Sequence, residues 1–303
     1  MSAVRRFRAR HPRLTRFAIA SAVLVALAFA LFIFNGMRDV HRAPDVGVGS
    51  GALRAAPLPE LRVMAFNLAK CNFHHGGLSF DDAAVVRATL ERVALALERE
   101  NCDVVCLSEV VFEAAPTPVN QAEYLALRCG YPTVVGADNY SFGLPFCRIR
   151  SGNALLARVP LTACSVEQLT GTRPFWAPTN NRRVLWCELE LNGAPLLVAS
   201  VRNDSFDIAN NLRQTEQLLA RVGERPALLA GDFNAEPSSA PLARLRATKH
   251  FIGFDDVPTF PARAATRRID YVLAPNTWTL IEQHVVDIGT SDHLAVVATF
   301  RLP

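Results

Sequence analysis

The pattern of apolar and polar positions after residue 60 predicts a succession of strands with few helices between them. Apolar runs fit strands over residues 61–68, 103–110, 151–158, 182–191, 194–201, 226–232, 268–274 and 293–300. A helical spacing predicts an amphipathic helix over 81–100. A second is predicted over 207–222, with Asp207 as N-cap, Ile208, Leu212, Leu218 and Leu219 inward, and Gly223 as its stop. Arg213 and Gln214 then fall on its solvated face. A third, short helix is expected after Glu236-Pro237, because proline suits the first helical turn. Strands that mostly lack the intervening helix of a βαβ unit argue for an α+β protein in which two sheets pack face to face with helices outside.

The N-terminal region has a different texture. Residues 17–34 carry no charge, and the sixteen residues before them hold Arg5, Arg6, Arg8, Arg10, Arg13 and Arg16 without an acid. Such a run is near the lower length limit for a bilayer-spanning helix, and the arginines place its start in the cytoplasm. A cleaved signal peptide and a buried core helix are the rival readings. The run exceeds the usual apolar core of about 7–15 residues in a signal peptide, and no A-x-A site follows it. The expected organisation is therefore a basic cytoplasmic segment (1–16), a transmembrane signal anchor (17–37), a Gly/Pro/Ala-rich linker (38–60) and one domain (61–303), outside the cytoplasm on a single-pass membrane protein.

Charge narrows the partners. The formal net charge of +4 becomes −2 once the six N-terminal arginines are set aside, so the exported part has no basic bias. That argues against tight non-specific grip on nucleic acid, which enters only as a substrate. The seven cysteines, at 71, 102, 106, 129, 147, 164 and 187, match no disulfide framework, and Cys102 and Cys106 lack the partners of a zinc site. They read as packing residues.

Several apolar runs stop at a polar residue: Asn67 after VMAF, Glu109 after VVCLS, Asp232 and Asn234 after ALLAG, Asp270 after RRI, with Asp292 and His293 before the last strand. Any one of these is an ordinary turn. As a set they supply carboxylates, amides and a histidine at strand edges, where a sheet can hold them rigidly about one cleft. Glu109, Asn67 and Asp292 form an adequate oxygen shell for Mg²⁺, with Mn²⁺ as the alternative ion. In GDFNAEP, Gly231 allows a sharp turn, Asp232 can orient or deprotonate water, and Asn234 can donate to a phosphate oxygen.

The segments AFN, LSEV, SGNALLAR, GDFNAEP, RRIDYVL and SDHLAV resemble, in order and spacing, the motif series of the endonuclease/exonuclease/phosphatase superfamily. The resemblance covers residues 61–302. It implies a four-layer sandwich of two packed mixed β-sheets flanked by helices, with a metal and substrate cleft at one end. It also implies Glu109 as the principal metal carboxylate with Asn67 and Asp292 beside it, Asp232 as the carboxylate for the attacking water, and Asn234 as a phosphate-contacting amide. His293 would face the phosphate and Asp270 would fix its tautomer. The implied reaction is Mg²⁺-assisted hydrolysis of a phosphate ester by a monomer, with a phosphodiester preferred, either nuclease-like or that of a phospholipid or small molecule. A phosphomonoesterase of inositol-phosphate type and a non-catalytic binding domain on the same scaffold are the alternatives.

One residue departs from the pattern. Many relatives carry Thr-His-Leu where GAPLLVASVRNDS places Arg202. Arginine cannot act as a general acid near neutrality but holds phosphate bidentately. Arg202 is thus a phosphate clamp, a structural partner of Asp204 or another acid, or the mark of an inactive site. Lys70, one of the chain's two lysines, is a further candidate to reach a phosphate; His74, His75 and Trp176 read as loop or packing residues.

Overall fold

A computed structural model describes residues 12–38, 43–76, 79–171 and 181–303. The apolar N-terminal run forms helix α1 (Pro12–Arg38), long and apolar enough over Pro12–Met37 to cross a membrane. Strand β1 (Asp45–Val48) follows, then β2 (Glu60–Asn67), helix α2 (Ala83–Glu100), β3 (Val104–Ala114), α3 (Gln121–Cys129), and the long hairpin of β4 (Thr133–Leu144) and β5 (Cys147–Ala157). The second half holds β6 (Leu161–Gln168), β7 (Arg183–Leu191), β8 (Ala194–Arg202), α4 (Ile208–Val222), β9 (Ala227–Asp232) and α5 (Ala240–Ala247). It ends with β10 (Phe251–Ile252), β11 (Asp270–Pro275), β12 (Thr279–Val286) and β13 (Ala295–Arg301).

The strands form two sheets, ordered β1-β4-β5-β3-β2-β13-β12 and β10-β11-β9-β8-β7-β6. Both are mixed, with one parallel pair in each, β2 with β3 and β8 with β9. Side chains alternate faces along each strand. Val63 and Ala65 of β2 therefore enter the layer between the sheets with Leu155, Leu185, Val198, Leu228 and Val296, while Met64 and Phe66 pack outward against Leu90, Val93 and Leu97 of α2. On the other outer face Trp186, Leu229 and Tyr271 pack against Leu218 of α4 and Leu242 of α5. The result is the expected four-layer sandwich.

Three local expectations change. The inward face of α4 is polar: Asn210, Asn211, Gln214 and Thr215 are buried beside Leu218 and Val222, whereas Ile208 is 53% exposed and Leu212 and Leu219 are only half-buried. The cause is the loop after β8, whose backbone has no sheet partner and takes one from the helix. Asn211 Nδ2 donates to the carbonyls of Asp204 and Phe233, both at 2.8 Å, and Gln214 Oε1 accepts from Asp204 N at 2.7 Å. Gln214 is thus a core residue; Arg213 is exposed as expected. The third helix begins at Ala240, with Ser239 as N-cap and Pro241 in the first turn; Glu236 and Pro237 belong to the turn before it. The stretch read as a linker runs along the domain from residue 43, with β1 paired to β4 and Arg54 bonded to Asp103.

Cys71, Cys102, Cys106, Cys129 and Cys187 are buried packing residues, Cys164 is half-buried and Cys147 is exposed; all are free thiols. Trp176 lies outside the described residues.

Replacing Asn211 with alanine leaves two buried carbonyls unsatisfied, so urea denaturation of the detergent-solubilised chain is expected to show a loss of about 2–3 kcal/mol. A loss within about 0.5 kcal/mol, the range of an ordinary surface substitution, would mean that the polar face of α4 does not hold the loop.

Candidate active site

The C-terminal ends of β2, β8 and β9 and the start of β11 meet at one end of the sandwich, and their parallel and antiparallel registers bring Arg202, Asp232 and Asp270 to one level. Asp232, Asp270 and His293 are buried and offer ligand atoms that all lie within 4.8 Å of one another. His293 Nδ1 bonds Asp270 Oδ2 at 2.9 Å, and Thr259 Oγ1 donates to the same oxygen at 2.7 Å. Burial opposes a charge on the imidazole, but the Asp270 carboxylate outweighs it, with Asp232 and Asp292 adding to it, and the pKa rises to about 9. For Asp232, burial and the neighbouring Asp270 charge push the pKa up to about 6.

Gly231 lies in β9, and a Cβ there would sit 2.1 Å from the carbonyl oxygen of Val201, with φ at +142°. Only glycine permits β8 and β9 to approach so closely beside Asp232. Asn234, at φ 49°, turns the chain after β9. Its backbone N–H donates to Asp232 Oδ1 at 2.9 Å, and its amide donates to Asp232 Oδ2 and to the carbonyl of Asn203.

Glu109 stands where β3 breaks register with β5, between the Leu107–Ala154 and Val110–Gly152 pairs, with φ at 53°. The bulge aims its carboxylate across the gap between the sheets. One oxygen receives Arg202 Nη2 and lies 3.4 Å from the Asn67 amide nitrogen; the other receives Lys70 Nζ. Burial would raise this carboxyl, but the Arg202 and Lys70 charges prevail and hold it well below the usual carboxylate range. Asn67 ties the two sheets together: its amide nitrogen donates to Asp232 Oδ2 at 3.1 Å and lies 3.4 Å from His293 Nε2, while its oxygen accepts from Ala69 N at 2.9 Å.

Lys70 arrives by an unusual route. Residues Ala69, Lys70, Cys71 and Asn72 all have φ between 45° and 58°. Left-handed backbone costs roughly 1–2 kcal/mol per residue, so the turn must be held from outside. Gln121 Nε2 donates to the carbonyl of Lys70 at 3.0 Å, and Asn72 Nδ2 donates to that of Thr290 at 3.2 Å. The strain is spent on placing one ammonium against Glu109.

The structure therefore gathers Asn67, Glu109, Arg202, Asp232, Asn234, Asp270 and His293. Asp292 is the exception among the candidate residues: its side chain is exposed at the rim, and it reaches the site only through its charge. Arg202 pairs with Glu109 and not with Asp204, which accepts from Asn210 Nδ2 at 2.7 Å. Burial and the Glu109 and Asp232 carboxylates act on Arg202 in opposite directions, and the carboxylates prevail, raising its pKa. Its Nε is buried without a hydrogen-bond partner among the described residues. Sequence reasoning missed Arg182, buried behind this group with Nε on the carbonyl of Asn203 at 3.0 Å. Burial and the nearby Arg202 charge lower its pKa to about 9. Its signal was weak, a second arginine beside Arg183 at the start of a strand.

The chain matches the Endonuclease/Exonuclease/phosphatase family over residues 64–293. It belongs to this family. The fold agrees: an endonuclease/exonuclease/phosphatase from Beutenbergia cavernae DSM 12333 superposes with a TM-score of 0.62 at 24% identity, over 81% of this chain and 72% of that one. A family protein from Bacteroides vulgatus gives 0.60 at 16% identity, over 80% and 99%. The mannosyl-6-phosphatase Bt3783 of Bacteroides thetaiotaomicron gives 0.54 at 14%, over 80% and 100%. No curated protein matches the chain in sequence. Members of this family are phosphoester hydrolases.

Because Asp232 ionises near 6 and His293 deprotonates near 9, phosphate-ester turnover is expected to rise through about pH 6 and fall through about pH 9. A rate profile flat from pH 5 to 10 would show that neither group titrates in the rate-limiting step.

Proposed function

We propose that this chain is a membrane-anchored, Mg²⁺-dependent phosphodiesterase whose domain lies outside the cytoplasm. The observation that carries the reaction type is the buried Asp232–Asp270–His293 group facing Arg202 across the sheet ends. A carboxylate with a pKa near 6 beside an imidazolium suits the deprotonation and orientation of an attacking water at neutral pH. Asp270 fixes the imidazole by its Nδ1, which leaves Nε2 directed toward Asn67 and the cleft.

Arg202 stands where many relatives carry histidine. It neither takes nor gives a proton at neutral pH, so its contribution is electrostatic. Its spare buried Nε–H is suited to a phosphoryl oxygen, the clamp reading, and the leaving group would draw its proton from the His293 imidazolium or from water. Asn234 spends its amide hydrogens on Asp232 and the Asn203 carbonyl, so in this reading it aims Asp232 more than it touches phosphate.

The carboxylate that would hold a hard divalent cation is Glu109, with Asn67 steadying it, while Asp292 at the rim would add only its charge. When bound, Mg²⁺ would supply Lewis-acid polarisation of the phosphoryl oxygen. Lys70 and Arg202 both sit on Glu109, so the carboxylate stays ionised at neutral pH, and a divalent cation would have to take the place of one of them.

The anchor reading rests on α1 and on the arginines that precede its apolar run. A phosphomonoester is the second reading, supported by the phosphatase among the similar structures and by the two cations at Glu109, which suit a dianion. The detergent-solubilised chain is expected to hydrolyse bis(p-nitrophenyl) phosphate with Mg²⁺ and not with EDTA, and Asp232→Asn to lower kcat by roughly 10²–10⁴-fold. Equal rates in the variant, or no metal-dependent turnover of this ester or of p-nitrophenyl phosphate, would overturn the enzyme reading; faster turnover of the monoester would favour the second.

A further inference from the structure

The β4–β5 hairpin projects from the same end of the sandwich as the catalytic cleft. Asp138 pairs with Gly152 and Leu144 with Cys147, and Gly152 is the β5 residue that faces the Glu109 bulge through its pairing with Val110. The hairpin tip therefore lies five residues, or roughly 17 Å, beyond the cleft along the strand.

The end of α1 is fastened to this hairpin. Asn35 is fully buried there: its Nδ2 donates to the carbonyl of Gly143 at 3.0 Å, and its Oδ1 accepts from Ser141 Oγ at 3.1 Å and Arg148 Nη1 at 3.4 Å. One turn earlier Phe32 meets Phe142 edge to face, ring centroids 5.3 Å apart. The chain does not drift away afterwards. From residue 43 it lies on the domain, through β1 on the free edge of β4 and Arg54 on Asp103. Two independent attachments thus fix the domain to the helix.

These contacts set a height. Phe32 is two residues, roughly 3 Å, inside the end of the uncharged run at Phe34. Phe142 is then level with the edge of the hydrocarbon. Its register partner Ile149 is three residues from Gly152, so the cleft stands at most roughly 10 Å above that level, whatever the tilt of the strands. The polar headgroup layer on each side of a bilayer is itself roughly 5–7 Å thick. At the tip, Phe146 is 77% exposed, and Phe206 and Ile208, which follow the cleft end of β8, are exposed on the same side. Aromatic side chains at this depth favour the membrane–water boundary.

We propose that the β4–β5 hairpin is a foot in the membrane interface that holds the cleft against the headgroup layer. The inference rests on the anchor and phosphoesterase readings above, but its test reads position and not turnover. The full chain, reconstituted in phosphatidylcholine vesicles with and without brominated acyl chains, is compared as Phe146→Trp and as Glu224→Trp. Glu224 precedes β9, at the opposite end of the sandwich, and its side chain is 95% exposed. After subtraction of wild-type emission, the bromolipid is expected to quench the Phe146→Trp signal at least about twofold and to leave Glu224→Trp unchanged, the behaviour of an aromatic at the interface. Equal, weak quenching of both in a chain that floats with the vesicles would overturn the foot and leave the anchor standing. A chain that fails to float would overturn both, while the soluble-ester assay in detergent would still report the enzyme reading on its own.

Discussion

Where two sheets meet, Asp232 and Asp270 are buried and Glu109 is largely buried beside them, and the fold must answer the cost of keeping three carboxylates out of water. It does so with cations from its own chain. His293 balances Asp270, and Arg202 and Lys70 balance Glu109. Lys70 and Arg202 are delivered by local devices that would be unfavourable alone, a left-handed turn and a strand tip without a continuing ladder, and a break in β3 register turns Glu109 toward both. The polar face of α4 and the close approach at Gly231 complete the arrangement by fixing the loop after β8 and the spacing between β8 and β9.

The sandwich and most of the site were legible because their signals are local. A strand buried on both faces reads as an apolar run, and a run that stops at Asn67, Asp232 or Asp270 places that residue at a sheet end. Other features depend on the partner and not on the segment. The strand over Thr133–Leu144 buries Asp138, Asn139 and Ser141 because Arg150, Asn153 and Asn35 meet them in turn, and so it shows no apolar period. The inward face of α4 was misjudged for the same reason: periodicity finds the apolar stripe, whereas this helix buries amides that cap a distant loop. Asp292 was expected beside Glu109 and Asn67, but in the bend before β13 the His293 side chain enters the cleft and that of Asp292 stays at its rim. Four successive left-handed residues at Lys70 have no signature, since none is glycine.

The same economy extends to the hairpin that holds α1. Arg148 and Arg150 neutralise Glu113 and Asp138 on the hairpin, which leaves its outer end to apolar residues and to the buried Asn35. β1 covers the first four residues of the edge strand β4, and α1 is fastened near its other end. The end of the sandwich that carries the site thus also carries α1, the helix long and apolar enough to cross a membrane.

The central claim is that internal charge compensation at Glu109 organises the site, and a double-mutant cycle measures it directly. Glu109→Gln, Arg202→Met and their combination are compared by urea unfolding at neutral pH in EDTA. Glu109→Gln strands the Arg202 charge and Arg202→Met leaves Glu109 to Lys70 alone, so the account predicts that the double variant loses less than the sum of the two single changes, with a coupling energy of about 2 kcal/mol or more. Additivity within about 0.5 kcal/mol would contradict it, since the two side chains would then be neighbours without being partners.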